Sequence, residues 1–347
     1  MDSNEITIVL ESILSTPTAP FHEYHVLGVI ESLLKSCHSA RIERDSFGNL
    51  IVIVGPDNKA PKWIFGAHMD HPGFVELPNS NCGDFSNSKY RDKYVFLGGV
   101  PDSYLETKFP IKEFDRFAMW DLPSFQISND EIRSRACDDL VGCSAIVSLI
   151  KHLDVVQNKE SFGAVFTRSE EVGFVGATKL AEQWPFRSDS CFVSIETSVP
   201  VGDSSMGKGP ICRVGDRMTI FDNDATESIL LTGKKHGIPV QRALLDGGAC
   251  EASALSAFGI KVTGISVPLG NYHNCTKDGK IDLEYVKLKD VESLVDLMVA
   301  LIKEFPNGPP NHSVSKRHKC RGRVDKMVPF IENTLEDFSR SKKVSEY

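Results

Sequence analysis

The sequence predicts an α/β protein: a three-layer sandwich with a mixed, mainly parallel sheet between helices, plus a small inserted β-rich domain. Three observations carry this expectation. Continuous apolar runs of strand length recur along the chain, stretches of helical period separate them, and one long stretch follows neither pattern. Strands that are apolar throughout belong to a sheet covered on both faces, which is the sandwich arrangement.

Taken in order, "IVLESILST" and "YHVLGVIESLLK" space their apolar residues as helices do. "LIVIV" (Leu50 to Val54) and "WIFGA" (Trp63 to Ala67) are continuous and β-branched or aromatic, so they read as buried strands. From about Glu76 to Arg133 the text is irregular and turn-rich, with short strand candidates in "KYVFLGG" and "DRFAMWDLPSFQIS". A structureless loop of that length is uncommon inside a domain, so the segment is read as the inserted β-rich domain. Then "LVGCSAIVSLIKHL" is helical, "FGAVFT" and "CFVSI" extended, "CEASALSAFG" helical, "KVTGISV" extended and "VESLVDLMVALIKEF" helical. The expected division is 1–75 with 133–306 for the main domain, 76–132 for the insertion and 307–347 for a basic tail. In that tail "SVSKRHKCRGRVDK" is basic and "MVPFIENTLEDFSRSKK" weakly amphipathic. It reads as a mobile tail, with contact to an anionic surface or another subunit as the sharper alternative.

Composition excludes several classes. With 347 residues, 41% hydrophobic and 25% charged, the chain can bury a substantial core and resembles neither a disordered nor a membrane protein. A formal net charge of -8 argues against nucleic acid as the partner of the whole surface. "MDSNEITIVLES" carries acids where a secretory signal carries bases, and no apolar run approaches the ~18 residues of a membrane span. Nine cysteines without a CxxC pair fit reduced thiols. A cytoplasmic location is expected.

Ligand sites of open α/β sheets lie beyond the carboxyl ends of the strands. There the sequence places His68 and Asp70, then Glu170 and Glu171, then Glu196 and finally His273, while Asp138 and Asp139 open a helix. Each alone is weak, since a single histidine or an acidic pair is usually structural, and "DD" before "LVGC" serves as a helix cap. Together, converging acids would repel one another unless a cation lay among them, and imidazole with carboxylate suits a divalent metal. In a strand, residues two apart share a face, so Asp70 is placed to accept a hydrogen bond from the far nitrogen of His68.

"GAHMDHPGF", "RACDDLVGC", "SEEVGFVGA" and "SVPLGNYHN", in this order, resemble the M42 family of metallo-aminopeptidases, a branch of the co-catalytic zinc exopeptidases that also include the M28 and M20 families. "DSFGNLIVIV" is similar to the strand that precedes the family's histidine, and the likeness runs from about Ser15 to about Phe305. It implies two divalent metal ions, zinc first, with cobalt or manganese as alternatives. His68 would hold one ion and His273 the other, Asp138 would bridge them, and Glu171 and Glu196 would complete the ligands. Glu170 would be the general base, with Asp70 supporting His68. The implied activity is hydrolysis of N-terminal residues from peptides, with a homo-oligomer as the expected assembly.

The chain departs from the family pattern at three places. Glu196 replaces an aspartate, and in related families a glutamate there accompanies carboxypeptidase or N-deacylase activity, the alternative reading; Arg213, Arg217 or Arg242 would supply its cation. His71 and Pro72 replace Glu-Val or Glu-Ile, which makes His71 a further ligand candidate. "GGACEAS" replaces "GGTDA", so the polar group expected near the substrate amine is either Glu251 or absent. His68 and Asp138 stand 70 positions apart, a shorter interval than the family's, which allows a smaller assembly.

Overall fold

The strands Leu50–Val54, Trp63–His68, Phe162–Thr167 and Cys191–Ser198 are buried on both faces because helices cover the sheet on both sides. The computed structural model describes residues 3–76, 90–91 and 93–339. Positions 77–89 of the expected insertion and 340–347 of the expected tail lie outside the described residues.

The main sheet runs in the order Ala40–Arg44, Leu50–Val54, Phe162–Thr167, Trp63–His68, Cys191–Ser198, Lys261–Pro268, Ile211–Asp216, Gln241–Leu245. From Phe162–Thr167 to Lys261–Pro268 the neighbours are parallel, and antiparallel pairs flank them. Successive side chains alternate between faces. Trp63, Phe65, Phe162 and Phe166 join the core beneath Ser3–Leu14, Cys137–Val155 and Leu288–Glu304. Ile64, Val165, Phe192 and Val262 join a second core with Leu180 of Val175–Glu182 and Leu255 of Glu251–Ala257. Gly66 lies mid-strand because a Cβ there would sit 2.2 Å from Cζ of Phe192. The helix Cys137–Val155 is apolar almost all round, as its run of small and aliphatic residues requires for an element buried along most of its length.

The β-rich segment forms its own antiparallel sheet, ordered Tyr90–Arg91, Tyr94–Leu97, Gly73–Glu76, Phe117–Trp120, Ile111–Phe114. Phe74, Phe96 and Trp120 pack edge to face or tilted in its core. This sheet opens at Gly73, ahead of the expected boundary, because Gly73–Glu76 pairs with Tyr94–Leu97 and not with the main sheet. Gln126–Ser128 and Glu131–Ser134 leave it to form a separate sheet with Glu284–Lys287. One helical turn, Asp102–Leu105, sits where the sequence suggested none.

Among the described residues, those up to 309 pack as one compact unit and those from 310 to 339 form a second. In the second, a helix spans Ser313–Ser339 within the expected basic tail, and Lys319, Arg321, Arg323 and Lys326 on it are exposed. Among the described residues no helix is long and apolar enough to cross a membrane. The cysteines among them are free thiols, most of them buried.

Candidate metal centre

Four parallel strands deliver their side chains to one edge of the sheet. His68 is the last residue of its strand and pairs in register with Thr167, beyond which the chain reaches Glu170 and Glu171. Glu196 lies near the end of Cys191–Ser198, and His273 sits in the Tyr272–Asn274 turn after Lys261–Pro268. Asp138 arrives from elsewhere: its chain comes out of Glu131–Ser134 in the three-stranded sheet and enters Cys137–Val155, with a cis peptide joining Asp138 to Asp139. Gly173, at φ +104°, turns the chain after the glutamates.

Asp138 offers one oxygen to each histidine. Its Oδ1 lies 3.4 Å from Nε2 of His68 and its Oδ2 lies 3.6 Å from Nε2 of His273. On the His68 side, Glu196 Oε2 and Glu170 Oε2 stand 3.9 and 4.0 Å from the same nitrogen. On the other side, Glu171 Oε1 lies 3.1 Å from Nε2 of His273. The adjacent glutamates therefore face different histidines.

Both rings present Nε2 because Nδ1 is occupied. His68 Nδ1 donates to the Asp70 carbonyl at 3.0 Å and His273 Nδ1 to the Gly99 carbonyl at 2.9 Å. Gly98 makes the second contact available: its φ is +124°, and a Cβ there would lie 2.5 Å from Cβ of Pro72.

The electrostatics describe a cluster short of positive charge. Burial pushes the Glu170 carboxyl well above the usual range; His68 opposes this, while Glu171 and Glu196 add to it. Burial likewise raises Asp139 and Glu196. Asp138 moves the other way: burial resists its charge, but His273 and His68 hold it below the ordinary carboxylate range. Burial resists protonation of His68 and His273, yet the carboxylates around them, led by Glu170 and Glu171 respectively, lift both well above the usual imidazole value.

The residues fit a metal. Asp138 Oδ1, Glu171 Oε1 and His273 Nε2 are buried with no hydrogen-bond partner. Ligand atoms of His68, Asp139 and Glu196, and of His68, Asp138 and Glu171, lie within 4.8 Å of one another. Nitrogen and carboxylate oxygen at that spacing suit divalent zinc, cobalt or manganese. Asp139 caps its helix, Oδ1 accepting the Gly142 N–H at 3.2 Å, and leaves Oδ2 without a partner.

Several expectations need correction. The Asp70 carboxylate stands 3.6 Å from His68 Nδ1 while its own carbonyl accepts that ring's hydrogen bond. Instead the carboxylate accepts the N–H groups of Glu170 and Glu171 at 2.9 and 3.1 Å, holding the glutamate pair by its backbone. His71 is not placed as a ligand, because Nδ1 lies 2.6 Å from the Asp138 carbonyl and Nε2 lies 3.2 Å from Asn274 Oδ1. Glu251 is wholly buried, neither oxygen has a hydrogen-bond partner, and burial pushes it to about 8.

The sequence reading missed Glu284. It is fully buried and accepts the Asp138 N–H at 2.9 Å and the His273 N–H at 2.7 Å. The available signal was an acid on the inward-facing register of "EYVK", beside buried Val286.

A cavity opens beside the centre, walled by Val199, Val201, Leu245 and Tyr272, with Arg213 in the same lining. Arg213 is only 4% exposed and its Nε has no partner. Arg217 and Arg242 are exposed and outside this lining.

The chain is similar to several known proteins. A family model described as M42 glutamyl aminopeptidase matches residues 108–297. A relative from Acetivibrio thermocellus, provisionally named an aminopeptidase, is 29% identical over 349 residues, covering 87% of this chain and all of the relative. Among solved structures, the TET1 peptidase of Pyrococcus horikoshii, described as assembling into a tetrahedron or a large octahedral shell, shares the fold with a TM-score of 0.69. It is 23% identical over 85% of this chain and 98% of that one. An aminopeptidase from the archaeon Desulfurococcus kamchatkensis superposes with a TM-score of 0.67 at 20% identity, over 87% of this chain and 95% of that one.

Proposed function

The chain belongs to the M42 family of metal-dependent aminopeptidases, and from that premise we propose that it removes N-terminal residues from peptides using two divalent ions held between His68 and His273. The observation that carries the two-ion reading is the placement of one Asp138 oxygen beside each histidine nitrogen. Asp138 and Glu196 would hold the ion on His68, and Asp138 and Glu171 the ion on His273. Zinc suits this donor set best, with cobalt and manganese as alternatives. When bound, the ions polarise the scissile carbonyl and acidify the attacking water.

The chain's own residues do the rest. Glu170, in the cavity lining and oriented by its N–H on Asp70, takes the water's proton on its carboxylate and delivers it to the leaving amine. Asp70 keeps Glu170 and Glu171 apart in aim by anchoring both backbones. Val199, Val201, Leu245 and Tyr272 exclude water around the first side chain of the substrate. Arg213 supplies that pocket with a guanidinium, which favours an acidic first residue, in keeping with the glutamyl activity for which the family model is named. Assembly into a homo-oligomer is proposed from the likeness to the TET1 peptidase, and a cytoplasmic location from the free thiols.

Arg213 together with Glu196 also favours the second reading, a carboxypeptidase or N-deacylase on the same scaffold. One assay separates the two: glutamyl-, aspartyl- and leucyl-nitroanilides with and without chelator, beside N-blocked peptides and acyl amino acids. Chelator-sensitive cleavage of the free-amine substrates alone supports the aminopeptidase. Cleavage confined to blocked substrates would establish the alternative.

A further inference from the structure

We propose that His71 and Glu284 form a clamp on the peptide of Asp138, and that this clamp governs the His273 half of the metal centre more than the His68 half. The proposal rests on the two-ion reading above. Glu284 Oε2 accepts the Asp138 N–H at 2.9 Å, and His71 Nδ1–H donates to the Asp138 carbonyl at 2.6 Å. The bridging residue is thus gripped at both polar atoms of its backbone, by side chains that are themselves buried.

Both jaws continue to the His273 turn. Glu284 Oε1 accepts the N–H of His273 at 2.7 Å, and His71 Nε2 faces the side chain of Asn274 at 3.2 Å. With its proton on Nδ1, a neutral His71 needs a donor opposite Nε2. Asn274 Nδ2 is buried without a partner, so turning its amide over supplies that donor to His71 Nε2. Asn271, His273 and Asn274 all hold left-handed backbone angles, a conformation that non-glycine residues keep only where the surroundings enforce it.

Two ties therefore set the distance between Asp138 and His273. Among the described residues neither jaw hydrogen-bonds to His68, whose ring is tied to the Asp70 carbonyl, or to Glu196, which takes the Ser194 hydroxyl at 2.8 Å. His71 and Glu284 are positioning residues, acting through the backbone of the ligands. Removing such partners typically costs 10- to 100-fold in metal affinity.

The test uses the full chain, stripped of metal and titrated with cobalt(II), read by visible absorption and by competition with a chromophoric chelator. The parent should take up two equivalents. In His71→Leu and in Glu284→Gln, whose amide turns a donor toward one of the two N–H groups, one equivalent should bind as in the parent. The other should weaken by about 10- to 100-fold. His71→Asn, whose amide nitrogen can occupy the Nδ1 position, should restore most of that loss. Two equivalents of parental affinity in the variants, or equal weakening of both, would overturn the clamp. If Glu284→Gln fails to fold by circular dichroism, Asn274→Ala carries the test, and a parental second affinity there overturns it equally. A parent that binds a single equivalent refutes the two-ion reading and the clamp with it, and is told apart by being seen before any substitution.

Discussion

His273 Nε2 and Glu171 Oε1 lie 3.1 Å apart, yet neither serves the other as a hydrogen-bond partner. With its proton on Nδ1, donated to the Gly99 carbonyl, His273 turns the Nε2 lone pair toward the carboxylate, so two acceptors face each other. Two acceptors that approach so closely are arranged as ligands are around an ion.

Glu170 is assigned the proton, so Glu170→Gln should lower kcat by about 10²- to 10⁴-fold while leaving metal content unchanged. Steady-state kinetics beside metal analysis of the purified variant checks this. A fall in bound metal matching the fall in rate would make Glu170 a ligand.

Asp70 acts on two backbones at once. Asp70→Ala should release the N–H groups of both Glu170 and Glu171 and cost about 10- to 100-fold in activity and metal affinity together. A variant that loses rate but binds metal as the parent does would confine Asp70 to Glu170.

Gly98→Ala tests the tie from the β-rich segment. The substitution forces a side chain onto φ +124° and against Pro72, and displaces the neighbouring Gly99 carbonyl from His273 Nδ1. The strain should cost on the order of 1–3 kcal/mol. Denaturant melts should show that loss, and activity should fall with it; a parental melt and rate would remove this contact from the account.

Glu251 sets a pH dependence in the metal-free chain. Burial holds its folded value at about 8 against an ordinary 4.5. Between those limits the folded chain keeps a proton that the unfolded chain has released, so stability falls as pH rises from about 4.5 toward 8. The slope for one such group approaches about 1.4 kcal/mol per pH unit. Glu251→Gln should flatten it, measured by urea melts at pH 6 and pH 8 after chelation. An unchanged slope would mean that Glu251 is not the group responsible.

Legibility in the sequence followed the range of the interactions. His68, Glu170, Glu171, Glu196 and His273 could be read because strand ends are visible in the text and ligand sites gather there. Asp138 was found for a partly different reason, since the strand before it belongs to the small sheet and not to the main one. Glu284 was invisible because its carboxylate serves backbone N–H groups 146 and 11 positions away, a pairing that leaves no motif. Asp70 was placed in the right company with the wrong atom, its carbonyl doing what the side chain was expected to do. The helix Ser313–Ser339 was obscured by Gly322 and Pro329, both poor helix formers, inside a hydrophilic stretch.

The most direct measurement is a crystal of the zinc-loaded protein with anomalous data collected above and below the zinc edge. Two peaks should appear, one touching His68, Asp138 and Glu196 and the other touching His273, Asp138 and Glu171, with Asp138 common to both. A single peak, or two peaks that share no aspartate oxygen pair, would contradict the bridging role on which the proposed chemistry depends.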